Sequence, residues 1–408
     1  MLENRWNKIV LCALIGFSIV CAGERELSVG ASFSAVGQRY YILEQDTSSL
    51  SSEPAATFEG AYKMERGIHD LLGEISGEMG TKSFWTLIGG RWNFSIGQFS
   101  TEISGKIEAR APYSKNSDVV GYAKHKFYLK LLQKINKNSI SAKIWVENKN
   151  FSNTGEFYYD YNLLRSEIKY KFYVRKWNCY AAWRYSFRSV PDSADANYDR
   201  RQIEISGNYL GPAGQIFSAA LAYDSRYFPS ADHRGSYSAL SLWGDGSVPL
   251  GTFFADISID AERRDYTTED DVYYDYLYLS TEGKIERDIS KLRIGAGPIV
   301  SIQSAKPQFE GASFTETGIT MSVNYLNYEK LWLMCDISSG KRFYSNLPDT
   351  GSFFSDYVFV DLSVMLSLWL GERWRAELSA FYSPQWHRRN TDDIRTSYIS
   401  ISAVYQVF

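Results

Sequence analysis

The sequence predicts an all-β fold: a transmembrane antiparallel up-and-down β-barrel of roughly 18 strands, with roughly 16 as the alternative. Three observations predict it. Apolar and polar residues alternate with a period of two in segment after segment. The links between those segments alternate short and long. Aromatic residues are abundant, at 30 Tyr, 23 Phe and 11 Trp against only 10 Pro. Aromatic and β-branched side chains suit a pleated surface covered on one side. A disordered chain is poor in them.

The alternation is clearest from Val358 to Leu370. There Val358, Val360, Leu362, Val364, Leu366, Leu368 and Leu370 share one face, against Asp361, Ser363, Met365, Ser367 and Trp369. A helical period would scatter these residues, whereas a strand sorts them onto two sides. Leu27–Ala35, Ile168–Val174, Trp177–Phe187, Leu331–Ile337 and Trp374–Tyr382 sort the same way. Cys179 and Cys335 fall on apolar sides and read as small apolar residues, because two such distant cysteines make neither a disulfide framework nor a zinc site.

Short links lie at 134–138, 175–176, 211–214, 244–251, 287–290, 327–330 and 371–373. Longer polar links lie at 111–118, 148–157, 189–198, 227–236, 263–272, 304–313, 341–355 and 384–396. A membrane barrel has a reason for this order, since its two rims face different compartments. No segment beyond the N-terminus has the length and apolarity of a membrane helix. Backbone groups in hydrocarbon must be paired within the protein, so an edgeless sheet is the structure that remains. Counting back from the C-terminus places strands regularly from about residue 99 onward. Upstream, residues 26–42 and 82–97 read as two more, joined by one long link, and 56–65 would be a further strand if the link were regrouped.

Arg5 and Lys8 precede an apolar run from Ile9 to Val20, and Val20-Cys21-Ala22 offers small residues where a signal peptidase reads. Residues 1–22 are therefore expected to be a secretory signal peptide and 23–408 the barrel. The run is too short for a membrane anchor. Lipidation at Cys21 would need a smaller residue than Val20 before it. The formal net charge is −3, with 44 Lys+Arg against 47 Asp+Glu, so no basic footprint for nucleic acid is present.

The final segment, Ser397 to Phe408, alternates. Ile399, Ile401, Ala403, Tyr405 and Val407 face one way, against Ser400, Ser402 and Gln406. An alternating last strand that stops on Phe resembles the C-terminal signal of bacterial outer-membrane β-barrel proteins, the porin-like class. The resemblance implies an assembly signal made of Ile399, Ile401, Ala403, Tyr405 and Phe408. It also implies recognition by the barrel-assembly machinery, an outer-membrane location in a Gram-negative cell, and lipid as the surrounding partner. Phe408 departs from the pattern, because it has the parity of Ser400 and Ser402; a bulge near Gln406 would restore the register.

Two candidate functional segments stand out. Lys124, Lys126, Lys130, Lys143, Lys169, Lys171, Arg175, Arg184 and Arg188 fall on the polar faces of consecutive strands, with Glu147 and Glu167 as partial counter-charges. Lining a water-filled pore, they would favour anions; the plainer reading is an ordinary polar lumen. Ile68, Leu71, Leu72 and Ile75 have helical spacing and read as a short helix, either folded into the lumen as a constriction or packed over the rim.

Catalysis has little support. His69, His125, His233 and His387 are scattered, and Asp232-His233 and His387 near Asp392 and Asp393 read as solvated turns. No metal, nucleotide or other cofactor motif is present. The expected function is a porin-like channel for passive diffusion of small hydrophilic solutes, with a preference for anions. The alternative is a non-transport barrel whose outer loops serve adhesion or envelope structure. Sixteen or more strands leave an aqueous lumen unless it is plugged.

Overall fold

The computed structural model describes residues 24–42, 45–113, 120–152, 158–191, 193–229, 233–270, 272–327, 330–345, 355–388 and 393–406. The expected signal peptide and Phe408 lie outside the described residues. The strands are β1 (Glu24–Ile42), β2 (Gln45–Arg66), β3 (His69–Met79), β4 (Ser83–Ile96), β5 (Phe99–Pro112), β6 (Tyr122–Ile135) and β7 (Asn138–Phe151). They continue as β8 (Tyr161–Val174), β9 (Trp177–Ser189), β10 (Tyr198–Leu210), β11 (Ile216–Tyr227), β12 (Tyr237–Leu250), β13 (Phe253–Tyr266) and β14 (Tyr276–Ile289). The last are β15 (Leu292–Ala305), β16 (Phe314–Asn327), β17 (Leu331–Tyr344), β18 (Tyr357–Trp369), β19 (Trp374–His387) and β20 (Ile394–Gln406).

All belong to one 20-stranded sheet in which each strand pairs antiparallel with its neighbours in sequence. β1 also pairs with β20, from Ser28 opposite Gln406 to Tyr40 opposite Ile394. The ladder thus returns to its first strand, so every strand of the sheet has a partner strand on each side.

The count corrects the expectation of 18 or 16 strands. From Phe99 onward the number of strands is the one the alternation gives, but β12 runs through Leu250 where a link at 244–251 was expected; residues 26–42 lie within β1, and β4 lies within residues 82–97. The added pair is β2 and β3, and β2 includes the 56–65 segment. The helix expected through Ile68, Leu71, Leu72 and Ile75 is therefore not there. Ile68 sits in the turn after β2, while Leu71, Leu72 and Ile75 lie on β3. Leu71 and Ile75 point to one side of that strand and Leu72 to the other, so these residues form no constriction helix. The physical reason is the outward row Leu71, Gly73, Ile75, Gly77: alternate positions are glycine, which hides a period of two.

One face of the sheet is apolar and exposed, and the other is polar and crowded. On β7 and β8, Ile144 is 48% and Ile168 50% exposed, while Glu147 is 9% and Glu167 6% exposed. Side chains inside a curved sheet converge and those outside splay, so the charged face is the concave one. Cys179 and Cys335 lie on the convex face and are free thiols.

The short links are tight turns whose backbone enters the left-handed region. Gly67, Gly97, Asn136, Arg175, Gly251 and Ser290 have φ of 61°, 58°, 56°, 55°, 71° and 58°. Hairpin turns of this kind need positive φ to match the strand twist. The long links close differently. A residue just before the returning strand accepts a hydrogen bond, on its side chain, from the backbone N–H at the end of the departing strand. Asp160 Oδ1 takes Phe151 N at 2.7 Å, Asp275 Oδ1 takes Tyr266 N at 2.6 Å, and Asp356 Oδ1 takes Tyr344 N at 2.8 Å. Asn197, Ser236, Ser313 and Asp393 do the same for Val190, Phe228, Ala305 and His387.

The carbonyl of the residue just before a returning strand often reaches the next hairpin as well. Ser152 N donates to Gly121 O at 2.8 Å, Thr267 N to Ser236 O at 2.9 Å, Ser345 N to Ser313 O at 2.9 Å, and Arg388 N to Asp356 O at 2.9 Å. These contacts form a belt around the long-link rim.

Candidate functional site: a charged concave wall

The concave face begins, at the long-link rim, with an aromatic residue at the start of successive returning strands: Tyr122, Tyr161, Tyr198, Tyr237, Tyr276, Phe314 and Tyr357. Many are held from both sides. The phenol donates to a carboxylate on the preceding strand, as in Tyr122 to Glu108 at 2.6 Å, Tyr161 to Glu147 at 2.7 Å and Tyr276 to Glu262 at 2.5 Å. A cation from the following strand lies over the ring. Lys149 Nζ is 4.0 Å from the Tyr122 centroid, and Arg188, Arg226, Arg264 and Arg342 cover Tyr161, Tyr198, Tyr237 and Phe314 at 4.6, 5.0, 4.6 and 4.0 Å. The sheet register, by setting each acid and each cation diagonally from the aromatic, makes the arrangement repeat.

Deeper in, the structure gathers most of the basic residues expected from sequence. Lys124, Lys126 and Lys130 on β6, Lys143 on β7, Lys169 and Lys171 on β8, and Arg184 and Arg188 on β9 share the concave face. Arg175 does not join them. It occupies the β8–β9 turn with φ 55°, at the short-turn rim, because the turn rather than the strand claims it.

The wall is more fully paired than the sequence suggests. Lys124 is 3.4 Å from Glu108, Lys126 3.9 Å from Glu147, Lys130 3.6 Å from Glu102, and Lys143 2.7 Å from Glu167. Arg184 donates from Nε to Glu167 at 2.8 Å and from Nη1 to Gln202 at 3.2 Å, and it also bonds Glu204. Lys169 Nζ stands 3.3 Å from the Tyr180 ring centroid. Glu102, Glu108 and Glu204 are partners that sequence reading missed, since they lie on β5 and β10, outside the segment it singled out. Cations still outnumber acids on the wall.

Elsewhere the concave face reverses sign. Asp245 on β12, Asp256 and Asp260 on β13, and Glu282 and Glu286 on β14 face inward, with Lys284 2.6 Å from Glu282 and Arg293 3.7 Å from Glu286. Charge is therefore sorted around the ring, basic over β6–β9 and acidic over β12–β14.

Three long links are tied together outside the strands. Arg234 pairs with Asp270 at 2.6 Å, and Lys306 reaches Asp275 at 2.6 Å and also Glu269. Two backbone N–H groups, from Tyr273 and Val272, hold Asp270 below the usual carboxylate value, with Arg234 adding to them. Burial raises Asp275, but hydrogen bonds from Lys306 and the Tyr266 N–H outweigh it and leave the group lowered. Asp275 and Glu269 raise Lys306 well above an ordinary lysine.

The signs fix a pH window. Depressed carboxylates contribute above their ordinary value of 3.8 and lose that contribution as pH falls through the lower folded value. The raised lysine contributes below its ordinary 10.5 and loses it only above the folded value. Protease cleavage within these links is expected to stay slow and flat between those limits and to accelerate below them. Digestion rates across pH with an acid-active protease check this against a fixed peptide substrate.

Three of the four histidines sit at the rims. His69 stacks on Trp92 at 5.8 Å, His233 packs on Tyr227 at 5.0 Å, and His387 packs on Tyr357 at 4.9 Å, with its backbone N–H donated to Asp393. Asp232 and Asp392 lie outside the described residues. No group of three or more potential metal ligands occurs among the described residues.

No family model and no curated protein matches the chain. Solved structures do. The FrpB iron transporter of Neisseria meningitidis is 10% identical, with 95% of this chain and 81% of that one covered and a TM-score of 0.60. The siderophore receptor PirA of Pseudomonas aeruginosa is 10% identical, with 95% and 81% covered at 0.56. OccK2 (OpdF) of Pseudomonas aeruginosa is 11% identical, with 94% and 98% covered at 0.52. At such identities the likeness concerns architecture alone: the chain has the fold of bacterial outer-membrane β-barrels.

Proposed function

We propose that the protein is a porin-like channel of the outer membrane that passes small hydrophilic solutes by diffusion and prefers anions. One observation carries the reading. Every substantial contact between elements joins ladder neighbours, or a strand and the short 3₁₀ turn that follows it. Among the described residues no element makes a substantial contact across the interior, and the face turned inward is charged. A ring of 20 strands stands between the 16 or so that enclose an aqueous channel and the 22 or so that hold a plug. The exposed apolar convex face suits acyl chains. Aromatic contacts near the short-turn rim, such as Trp177 with Tyr209 and Trp374 with Tyr405, suit a membrane interface. On this reading the long links face outside and the short turns face the periplasm.

The preference for anions rests on the basic wall over β6–β9, whose potential reaches about 10 Å into the lumen at 0.1 M salt. In a planar bilayer the purified protein is expected to open in discrete steps, with a reversal potential of anion sign in a salt gradient. Consistent absence of steps would overturn the channel, and a cation-signed potential would overturn the selectivity.

A further inference from the structure

The convex face of β4–β7 carries a groove of about 520 Å³ lined by Ile88, Gly90, Gly105, Ile107, Phe127 and Val146. Gly90 and Gly105 are register partners and form its floor. Neither glycine is required by the backbone. A Cβ at Gly90 would meet only Leu72 O at 3.8 Å, and one at Gly105 only Lys126 O at 3.9 Å, both ordinary contacts. By contrast, a Cβ at Gly318 or Gly340 would press within 2.5 Å of a neighbouring carbonyl. The hollow at Gly90 and Gly105 is therefore space left open, not space forced open by strand packing. Its volume is that of a cleft for a whole ligand.

Toward the long-link rim the groove runs into polar groups. His125 and Asn148 are register partners at its end. Asn148 Nδ2 donates to Asn162 Oδ1 at 2.8 Å, and Asn150 Nδ2 donates to Asn148 Oδ1 at 2.9 Å. At the same step the convex residue is Leu164, Leu240, Leu279 and Val360 on β8, β12, β14 and β18, and Arg201, Thr317 and Ser397 on β10, β16 and β20, so the ladder lies at the level where the apolar band gives way to polar groups. Polar groups facing hydrocarbon are costly unless something hydrogen-bonds them. The amide links use only part of their capacity, since each Asn has two donors and an acceptor with two lone pairs. The convex faces of β4–β8 carry no Lys, Arg, Asp or Glu, so a charged headgroup would find no partner there.

We infer that this groove and ladder form a binding site for one membrane amphiphile: an acyl chain along Gly90 and Gly105, and an uncharged, hydroxyl-rich sugar headgroup on His125, Asn148, Asn150 and Asn162. The site depends on the membrane placement proposed above but not on the channel being open. It belongs to the outer leaflet, because the ladder lies on the long-link side.

The test uses full-length protein matured in its own membranes, extracted in mild detergent, stripped of lipid, and weighed by native mass spectrometry. The probes are monogalactosyldiacylglycerol and phosphatidylglycerol, offered separately in mixed micelles. A single sugar-lipid adduct is expected, retained at least about tenfold better than phosphatidylglycerol, a selectivity worth about 1.4 kcal/mol. Gly105→Leu fills the groove at a position with room for a side chain and should abolish the adduct while leaving the folded mass unchanged. Asn148→Ala with Asn162→Ala should equalise the two lipids. Equal retention by the wild-type protein, an adduct indifferent to Gly105→Leu, or a multimer mass that Gly105→Leu dissociates would overturn the site, the last by giving the groove to a second copy. If the protein fractionates as a soluble monomer, the membrane placement itself fails, a result separable from a membrane-inserted protein that binds neither probe.

Discussion

Replacing Lys126 with glutamine and Lys169 and Lys171 with glutamate is expected to move the reversal potential in a salt gradient from anion toward cation sign. These three are chosen because their loss leaves the tight pairs intact. Lys126 has only a long contact with Glu147, at 3.9 Å, and Lys169 faces a tyrosine ring rather than an acid. Lys143 and Arg184, by contrast, hold Glu167 at 2.7 and 2.8 Å, and changing either would mix selectivity with folding. Glutamine at 126 avoids setting a second carboxylate opposite Glu147, its register partner. The difference from wild type should shrink at 1 M salt, where screening acts within about 3 Å. A potential unmoved by the triple change would mean that the basic wall does not set the selectivity.

Arg184→Met is expected to cost about 2–4 kcal/mol of stability, one of the largest single-residue losses on the wall. The guanidinium bridges Glu167 and Glu204, whose side chains are only 7% and 15% exposed. After its removal Glu167 keeps Lys143 as an ion-pair partner, but Glu204 is left with the Tyr180 hydroxyl and the more distant charge of Lys169. Arg184→Lys keeps the charge but loses the planar fork that serves two acids, so it should fall between wild type and Met. Unfolding midpoints in lipid vesicles under urea measure this. Equal midpoints for all three proteins would show that the bridge contributes nothing.

The fold was legible where each strand carries its own signal. From Phe99 onward, large apolar residues mark the convex side and polar ones the concave side, and the link lengths tell one rim from the other. It was half legible at β2 and illegible at β3. Phe58, Gly60, Tyr62 and Met64 mark the second half of β2, but Ser48, Ser49, Ser51 and Ser52 give its first half no apolar row, and glycines blank the row on β3. Those strands are held by pairing with long, regular neighbours rather than by a hydrophobic pattern of their own.

The site was legible in part for a related reason. Period two assigns a lysine to a face, but only the register says which acid stands diagonally from it, and register joins residues distant in sequence. One signal was available and unused. Asp160-Tyr161, Asp275-Tyr276, Asp356-Tyr357, Asn197-Tyr198 and Ser236-Tyr237 repeat a small polar residue before an aromatic where most of the long links end. Each marks a side chain that caps the departing strand and the ring that opens the next one.

Those caps have a consequence for how the surface of the protein can vary. Since Asp356 fastens Tyr344 beneath the link between them, the intervening stretch is tied off at its base, and Ser313 and Ser236 do likewise for theirs. Foreign peptides spliced beyond the knots should leave the strands below undisturbed, an outcome that unchanged single-channel steps in a planar bilayer would check, so these links have room to vary above a constant sheet.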